Sequence, residues 1–232
     1  MKRIKLMKLS IIIPTLNEVE YCSTLFQTLK NFKTEKEIIV VDGGSIDQTL
    51  KLASTHEFVI IEAERGRAQQ LATAASASKG DFLLFLHVDV QLSDANLKEL
   101  AVALDRKVEL ASFPIEFDYS HWFLRLNAFF SRYRHPYFHF GDQGLWISRS
   151  LFEKCGGFDP SDEILEDQDI YLRASKHTKS RKFKSSLLVS ARKYRKYGVY
   201  KLQFFYYRIW ILHKMGYSKK SLAEKYRRFL AA

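Results

Sequence analysis

Cysteine is scarce in this chain: there are two, Cys22 and Cys155, among 232 residues. Their separation matches no metal-ligand spacing, so they read as free thiols of a reducing compartment, with a pairing of the two left open. Long apolar runs are missing as well. No stretch approaches the roughly 20 apolar residues needed to cross a bilayer, so no membrane-spanning helix is expected. Residues 1–8 are basic, but the apolar stretch that follows, residues 9–14, is too short for a secretory signal. The glycine-rich loops with which P-loop and dinucleotide-binding folds hold phosphates are also absent. Acidic residues run out towards the end: after residue 175 there is one, Glu224, against 17 lysines and arginines.

That last deficit organises the charge. The formal net charge is +11; residues 176–232 carry a balance of +16 and residues 1–175 a balance of −5. A mildly acidic body with a basic C-terminal stretch suits a polyanionic partner: an anionic membrane, a nucleic acid or a phosphorylated substrate. A solvated basic surface with no partner gives the same count. Length and a hydrophobic content of 47% fit one large α/β domain, or a domain with an appendage.

The stretch that orders the rest is residues 80–89, GDFLLFLHVD. Its unbroken apolar run, residues 82–86, predicts a central strand of a parallel sheet covered on both faces. It ends in His87-Val88-Asp89, where alternation puts the imidazole and the carboxylate on one side. Ligands of open parallel sheets bind beyond the carboxyl ends of the strands, and a carboxylate there suits a divalent metal or a phosphate-bearing ligand. Asp89 as the cap of a helix starting near Ser93 is the alternative. Further strands are predicted at residues 9–13, stopped by Pro14, at 37–41 and at 58–61, with helices at 19–32, 48–55 (Asp47 as cap) and 68–78 between them. This alternation means a parallel sheet with right-handed crossovers. Four strand ends then meet in one crevice: Thr15 to Glu18, Asp42-Gly43-Gly44-Ser45, residues 62–67 with Arg67, and His87 to Asp89. Gly43 and Gly44 let the backbone turn and approach a ligand closely. Without a glycine-rich phosphate loop, a diphosphate there needs a metal and basic side chains.

SIIIPTLNE (residues 10–18), VVDGGSIDQT (40–49) and GDFLLFLHVDV (80–90) resemble the nucleotide-binding half of family-2 glycosyltransferases. FGDQGLWISRSLFEKCGGFD (140–159) and LEDQDIYLR (165–173) resemble the acceptor half. Five motifs in order cover residues 10–173. With HxD, GDQG and a short basic tail, the pattern is most similar to a bacterial subgroup associated with radical-SAM or selenoprotein-like domains.

The resemblance implies a GT-A-like, Rossmann-like α/β fold: a mostly parallel sheet flanked by helices, with a basic helical extension. It divides the chain into a catalytic domain at 1–175 (nucleotide-sugar half 1–110, acceptor half 111–175) and a basic, aromatic-rich stretch at 176–232. It implies a metal-dependent, inverting transfer from a UDP- or GDP-linked sugar. Asp42 would bind the donor's base, with Thr15, Glu18 and Gly43 in the same pocket and Arg67 and His87 beside the nucleotide. Asp89 would hold Mg²⁺ or Mn²⁺ against the diphosphate. Asp167, in Glu166-Asp167, would be the base. His87 replaces the first carboxylate of the family's DxD. The chemistry asks for the same groups: a hard cation for the leaving diphosphate, and a carboxylate of raised pKa to take the acceptor's proton.

Other readings stay open at this point. Asp42 also suits a turn, Glu166 and Asp167 an acidic first helical turn, and Asp142 and Gln143 either an acceptor pocket or backbone bonding. Trp146 suits core or acceptor platform; His121, His135 and His139 read as packing or surface residues. Beyond residue 173, residues 183–189 predict a strand and 218–230 a basic helix. Residues 199–212, with Phe204, Phe205, Tyr206, Tyr207 and Trp210 around Arg208, suit a membrane interface, packing on the body or a dimer contact. A lipid-carried acceptor and peripheral contact with the inner face of the membrane from the cytoplasm follow from the first. Rival functions are a sugar-phosphate nucleotidyltransferase, a nucleic-acid-binding module and an inactive scaffold of this fold.

Overall fold

Four parallel strands carry the apolar runs of the first half. In the computed structural model, which describes residues 7–135 and 138–231, they are β1 (Leu9–Thr15), β2 (Lys36–Asp42), β3 (Val59–Glu62) and β4 (Phe82–Phe85). The basic residues 1–6 lie outside the described residues. Helices α1 (Val19–Asn31), α2 (Thr49–Ser54) and α3 (Arg67–Ala77) make the crossovers. After β4 come β5 (Val90–Gln91), α4 (Asp94–Asp105), β6 (Leu110–Ser112), β7 (Ile115–Phe117) and α5 (Trp122–Phe130). Then follow β8 (Leu145–Ser148), α6 (Arg149–Lys154), α7 (Glu166–Ser175), β9 (Arg181–Lys182) and β10 (Leu187–Val189). Helices α8 (Arg192–Tyr197), α9 (Val199–Lys214) and α10 (Lys219–Ala231) end the described chain.

The main sheet has the order β3-β2-β1-β4-β8-β6-β9, and β8 runs antiparallel to both its neighbours. A small sheet, β5-β10-β7, lies beyond the end of β4. Side-chain alternation splits the core into two layers. Leu9, Ile11, Ile13, Phe82 and Leu84 face α1 and α4; Ile12, Leu83 and Phe85 face α3, α6 and α7. The alanines of α3 let that helix lie close on the sheet, and Ala74 and Ala75 are buried there.

Two expected boundaries move. β1 passes through Pro14 to Thr15, because Pro14 points to the β4 side, where pairing has already ended at Ile12–Phe85. The strand expected at 183–189 shrinks to β10, since the Glu99 carboxylate takes the amide protons of Lys184 and Ser185. Trp146 is core: it stacks on Phe82 at 5.3 Å and its indole N–H donates to the Val108 carbonyl at 2.6 Å. His121 caps α5, its Nδ1 accepting from the Phe123 N–H at 3.2 Å. Both cysteines are free. Phe205 stacks on Phe229 of α10 at 4.0 Å, so packing is its role, whereas Phe204 and Tyr207 stay exposed.

The entry to β4 depends on Gly80, which has no Cβ to keep it from β1. A Cβ there would lie 2.5 Å from the Ser10 nitrogen and 2.9 Å from the Leu9 carbonyl carbon. The Gly80 N–H donates to Ser10 Oγ at 2.8 Å. Backbone cannot yield as a flexible side chain does, so Gly80→Ala is expected to destabilise the protein by roughly 1–3 kcal/mol. Urea denaturation checks this; an unchanged midpoint would mean that β1 and β4 separate without cost.

Candidate active site

The sheet topology delivers the carboxyl ends of β1, β2 and β4 to one side. A cleft of about 350 Å³ opens there, lined by Thr15, Glu18, Arg67, His87, Asp89 and Arg192, with Arg65, Gln70 and Lys193 at its walls. Asp42 and Gly43 lie beneath it, and Glu166 and Asp167 stand behind Arg67 and His87.

Asp42 is buried, and its carboxylate is engaged on both oxygens. Oδ2 accepts the amide protons of Gly44 (2.9 Å) and Ser45 (2.6 Å); Oδ1 accepts from Thr15 Oγ1 (3.1 Å) and from the Ser45 hydroxyl. These bonds make Asp42 a turn former. Direct contact with a nucleobase requires the 43–45 loop to release one of those donors. Sequence reasoning missed Gln70 of α3, whose Nε2 donates to the carbonyls of Thr15 (2.8 Å) and Val41 (2.9 Å) and so ties β1 to β2. A Cβ on Gly43 would come 3.1 Å from that amide, which explains the glycine. The one signal for Gln70 is its place one turn before Ala74 on the buried face of α3. Asp47 is not the cap of α2, a position held by Gln48 without a side-chain bond, but lies one residue before it and accepts from the Thr49 N–H at 2.9 Å and the Val19 N–H at 3.2 Å.

Asp89 does not cap α4. Ser93 does, in a reciprocal box with Asn96. The partner of Asp89 is Arg192, at the start of α8, with Nη2 3.3 Å from its Oδ2. The same guanidinium holds Glu18 through two bonds, of 2.7 and 2.8 Å, and lies over the Tyr21 ring at 4.0 Å. Burial works against its charge, but the bond to Glu18 and the charges of Asp89 and Glu18 raise its pKa above the ordinary arginine value. Sequence reasoning missed Arg192; its only signal is membership of the basic run 192–196.

The second cluster forms around Arg67, the first residue of α3. Its Nε is 3.4 Å from Glu166 Oε1 and its Nη1 3.6 Å from Asp167 Oδ2. His87 Nε2 lies 3.2 Å from Arg67 Nη1 and 3.6 Å from Asp167 Oδ2. The two acids sit in the first turn of α7, with Leu165 before them in the left-handed region at φ 61°. A branched side chain rarely adopts that conformation, and here it turns the chain sharply so that both acids face inwards. Gly141 closes the wall: a Cβ there would overlap Asp167 Oδ2 and lie 2.7 Å from His87 Nε2. The proton affinities of the acids diverge. Burial raises the Glu166 pKa against the pull of Arg67. Burial also works on Asp167, but the His87 hydrogen bond and charge, with Arg67, hold it below the usual range. The raised pKa expected of the base therefore belongs to Glu166, not Asp167.

Beyond Gly141, the half-buried Asp142 and Lys182 act on each other through their charges. Burial raises the Asp142 pKa, and its Oδ1 has no hydrogen-bond partner among the described residues. Lys182 of β9 donates to Gln143 Oε1 and to the Phe113 carbonyl (3.3 Å), so Gln143 bonds backbone and side chain within the core. His139 is buried against Tyr171, with ring centroids 3.8 Å apart.

No group of three or more His, Cys, Asp or Glu is gathered for a metal among the described residues. Asp89 offers one carboxylate, with Arg192 beside it. That fits a hard cation held chiefly by a diphosphate and water, as Mg²⁺ commonly is, and not a cation caged by protein.

The family model for glycosyl transferase family 2 matches residues 10–159. The chain belongs to this family. It is 32% identical over 110 residues to the poly(ribitol-phosphate) beta-N-acetylglucosaminyltransferase TarS of Staphylococcus aureus (strain Mu50 / ATCC 700699), across 43% of this chain and 19% of that protein. A crystal structure of S. aureus TarS 1-349 matches with a TM-score of 0.67 at 19% identity, covering 80% of this chain and 61% of that one. The mannosyltransferase PcManGT from Pyrobaculum calidifontis, in complex with GDP-Man and Mn²⁺, matches with a TM-score of 0.60 at 19% identity, covering 98% of this chain and 75% of that one. The chain thus spans less than two thirds of the TarS structure, and the likenesses show the GT-A fold that the motifs imply.

Lys182 gives the site a pH signature. Burial pushes its ammonium down to about 7, with Asp142 pulling the other way. Between about 7 and the ordinary 10.5 the unfolded chain binds the extra proton, so this group's contribution to stability rises with pH over that window. Below about 7 both states are protonated and the cost of the buried charge is full. Replacing Lys182 by Met should therefore raise the melting temperature, relative to wild type, more at pH 6 than at pH 9. A difference independent of pH would show that Lys182 keeps its ordinary proton affinity.

Proposed function

We propose that the protein transfers a glycosyl residue from a nucleotide-diphosphate sugar to an acceptor hydroxyl, by a single displacement with inversion. The observation that carries this is the cleft whose lining holds Asp89 and four cations, Arg65, Arg67, Arg192 and Lys193. A diphosphate needs such a setting where no glycine-rich loop is present. Family membership favours glycosyl transfer over nucleotidyl transfer and over a nucleic-acid-binding module. Motifs HxD and GDQG suit the subgroup associated with radical-SAM or selenoprotein-like domains.

TarS has been crystallised with UDP, and PcManGT with GDP-Man and Mn²⁺. We accordingly assign a UDP- or GDP-linked donor and Mn²⁺ or Mg²⁺ to this cleft. Thr15, Asp42 and Gly43 would take the nucleoside end, with Glu18 fixed beside them by Arg192. The metal would be held by Asp89 and the diphosphate, and when bound it neutralises the leaving group's charge. Arg67 and His87 flank the diphosphate and hold Asp167 in place. Asp167, ionised at neutral pH, takes the acceptor's hydroxyl proton. A base of low pKa serves when the proton leaves late, after the new C–O bond has begun to acidify the hydroxyl. Glu166, protonated more readily, fixes Arg67. The acceptor we assign is lipid-carried, and the reaction lies on the cytoplasmic side with peripheral membrane contact; no helix among the described residues is long and apolar enough to cross a membrane.

Two substitutions test these roles. Asp89→Asn should retain the fold and lose the increment that Mn²⁺ adds to nucleoside-diphosphate affinity in calorimetric titration; an equal increment in both forms sinks the metal assignment. Asp167→Asn should bind the diphosphate as wild type does while transfer falls by about 10²-fold or more. Wild-type turnover in Asp167→Asn, with the large loss in Glu166→Gln instead, would pass the role to Glu166.

A further inference from the structure

Helices α5 and α9 lie side by side at the surface and share one aromatic face. Trp122, Leu126 and Phe129 of α5 are exposed by 57, 46 and 51%, and Tyr200, Phe204 and Ile211 of α9 by 45, 59 and 51%. The α9 residues recur at helical spacing, so they form a single stripe. Ring contacts join the helices: Phe123 meets Tyr200 at 5.2 Å and Phe204 at 5.9 Å, and Trp122 meets Tyr200 at 6.3 Å. The Tyr207 hydroxyl donates to Asn127 across the same seam. Exposure is therefore a property of a packed surface, not of loose side chains. Single exposed apolar residues are ordinary, but a contiguous face of this kind marks an interaction site.

Its charge selects the partner. Residues 119–140 contain three arginines, of which Arg132 is paired with Glu116 at 3.2 Å, and no acid, and residues 170–223 contain no acid. Arg125 on α5 and Arg208 on α9 are exposed, while Lys201 of α9 lies over Phe229 of α10. A second copy would bring like charges together, which opposes a self-complementary contact. Aromatic rings rimmed by arginine and lysine match the interface of an anionic bilayer.

We infer that the α5–α9 face docks the protein on anionic lipid bilayers, with Trp122 and Phe204 entering the interface and Arg125 and Arg208 meeting the headgroups. The surface differs from the one that the α9 sequence suggests: Phe205 packs on α10, and half of the lipid-facing set comes from α5. The face also leads to the base. Phe138 and Phe140 are exposed just before Gly141, which abuts Asp167, so a lipid-carried hydroxyl would arrive from this side. That last step rests on the proposed glycosyl transfer; docking does not, and needs no donor.

Cosedimentation of the full chain with vesicles tests docking separately from catalysis. Wild type should pellet with phosphatidylglycerol vesicles at low salt, be released at high salt, and stay in solution with phosphatidylcholine. Each basic residue near an anionic surface is worth about fivefold in partitioning, so R125E/R208E should bind at least about 25-fold more weakly. The W122S/F204S pair should lose binding with an unchanged melting temperature. Should that variant lose stability as well, R125E/R208E decides. No pelleting of wild type, or wild-type pelleting of both variants, overturns the inference. So does a dimer in sedimentation velocity that dissociates in W122S/F204S without vesicles, since the face would then be covered by a second copy.

Discussion

Five carboxylates converge at the carboxyl end of this sheet, and the site depends on how their mutual repulsion is relieved. Asp42 is satisfied by backbone amides and two hydroxyls. Glu18 and Asp89 share Arg192; Glu166 and Asp167 share Arg67, with His87 between them. Two guanidiniums thus neutralise four acids from three separate segments. Removing either cation would leave a buried or half-buried acid unpaired, a far greater cost than the loss of a surface ion pair. The same arginines face the cleft, so the groups that hold the site together are those positioned to meet an anionic ligand.

The adjacent pair Glu166 and Asp167 shows how environment separates identical chemistry. Both are buried in one helical turn, yet burial dominates at Glu166 while imidazole and guanidinium dominate at Asp167. One acid holds its proton more readily and the other is ionised, a division of labour that neighbouring carboxylates commonly use. Gly141 and Leu165 enforce it by backbone geometry, one by lacking a Cβ and the other by a left-handed turn.

The basic C-terminal stretch has two roles rather than one. Arg192 and Lys193 line the cleft, and the half-buried Lys182 donates to Gln143. Lys219 and Arg227 bind Asp162 and Glu163, the acids just before α7, and so fasten α10 to the catalytic body. Arg195 binds Asp118, while Arg208 stays exposed on α9. Charge counted along the chain could not separate these uses, because the count carries no direction.

The amino-acid pattern alone was enough for the α/β class, the succession of the first four strands along the chain and the strand ends at which Thr15, Glu18, Arg67, His87 and Asp89 gather. It sufficed because apolar runs, helix periods and turn residues act locally, and parallel topology then dictates which ends meet. It also placed Glu166-Asp167 in an acidic first helical turn. The folded chain alone reveals which cation serves which acid, since Arg192 lies more than a hundred residues from both Glu18 and Asp89. It reveals too that Trp146 and Phe205 are packing residues, that Asp42 is engaged by its own turn, and that α5 completes the aromatic face of α9. Each of these follows from contacts between segments remote in sequence, whose distances no local pattern encodes.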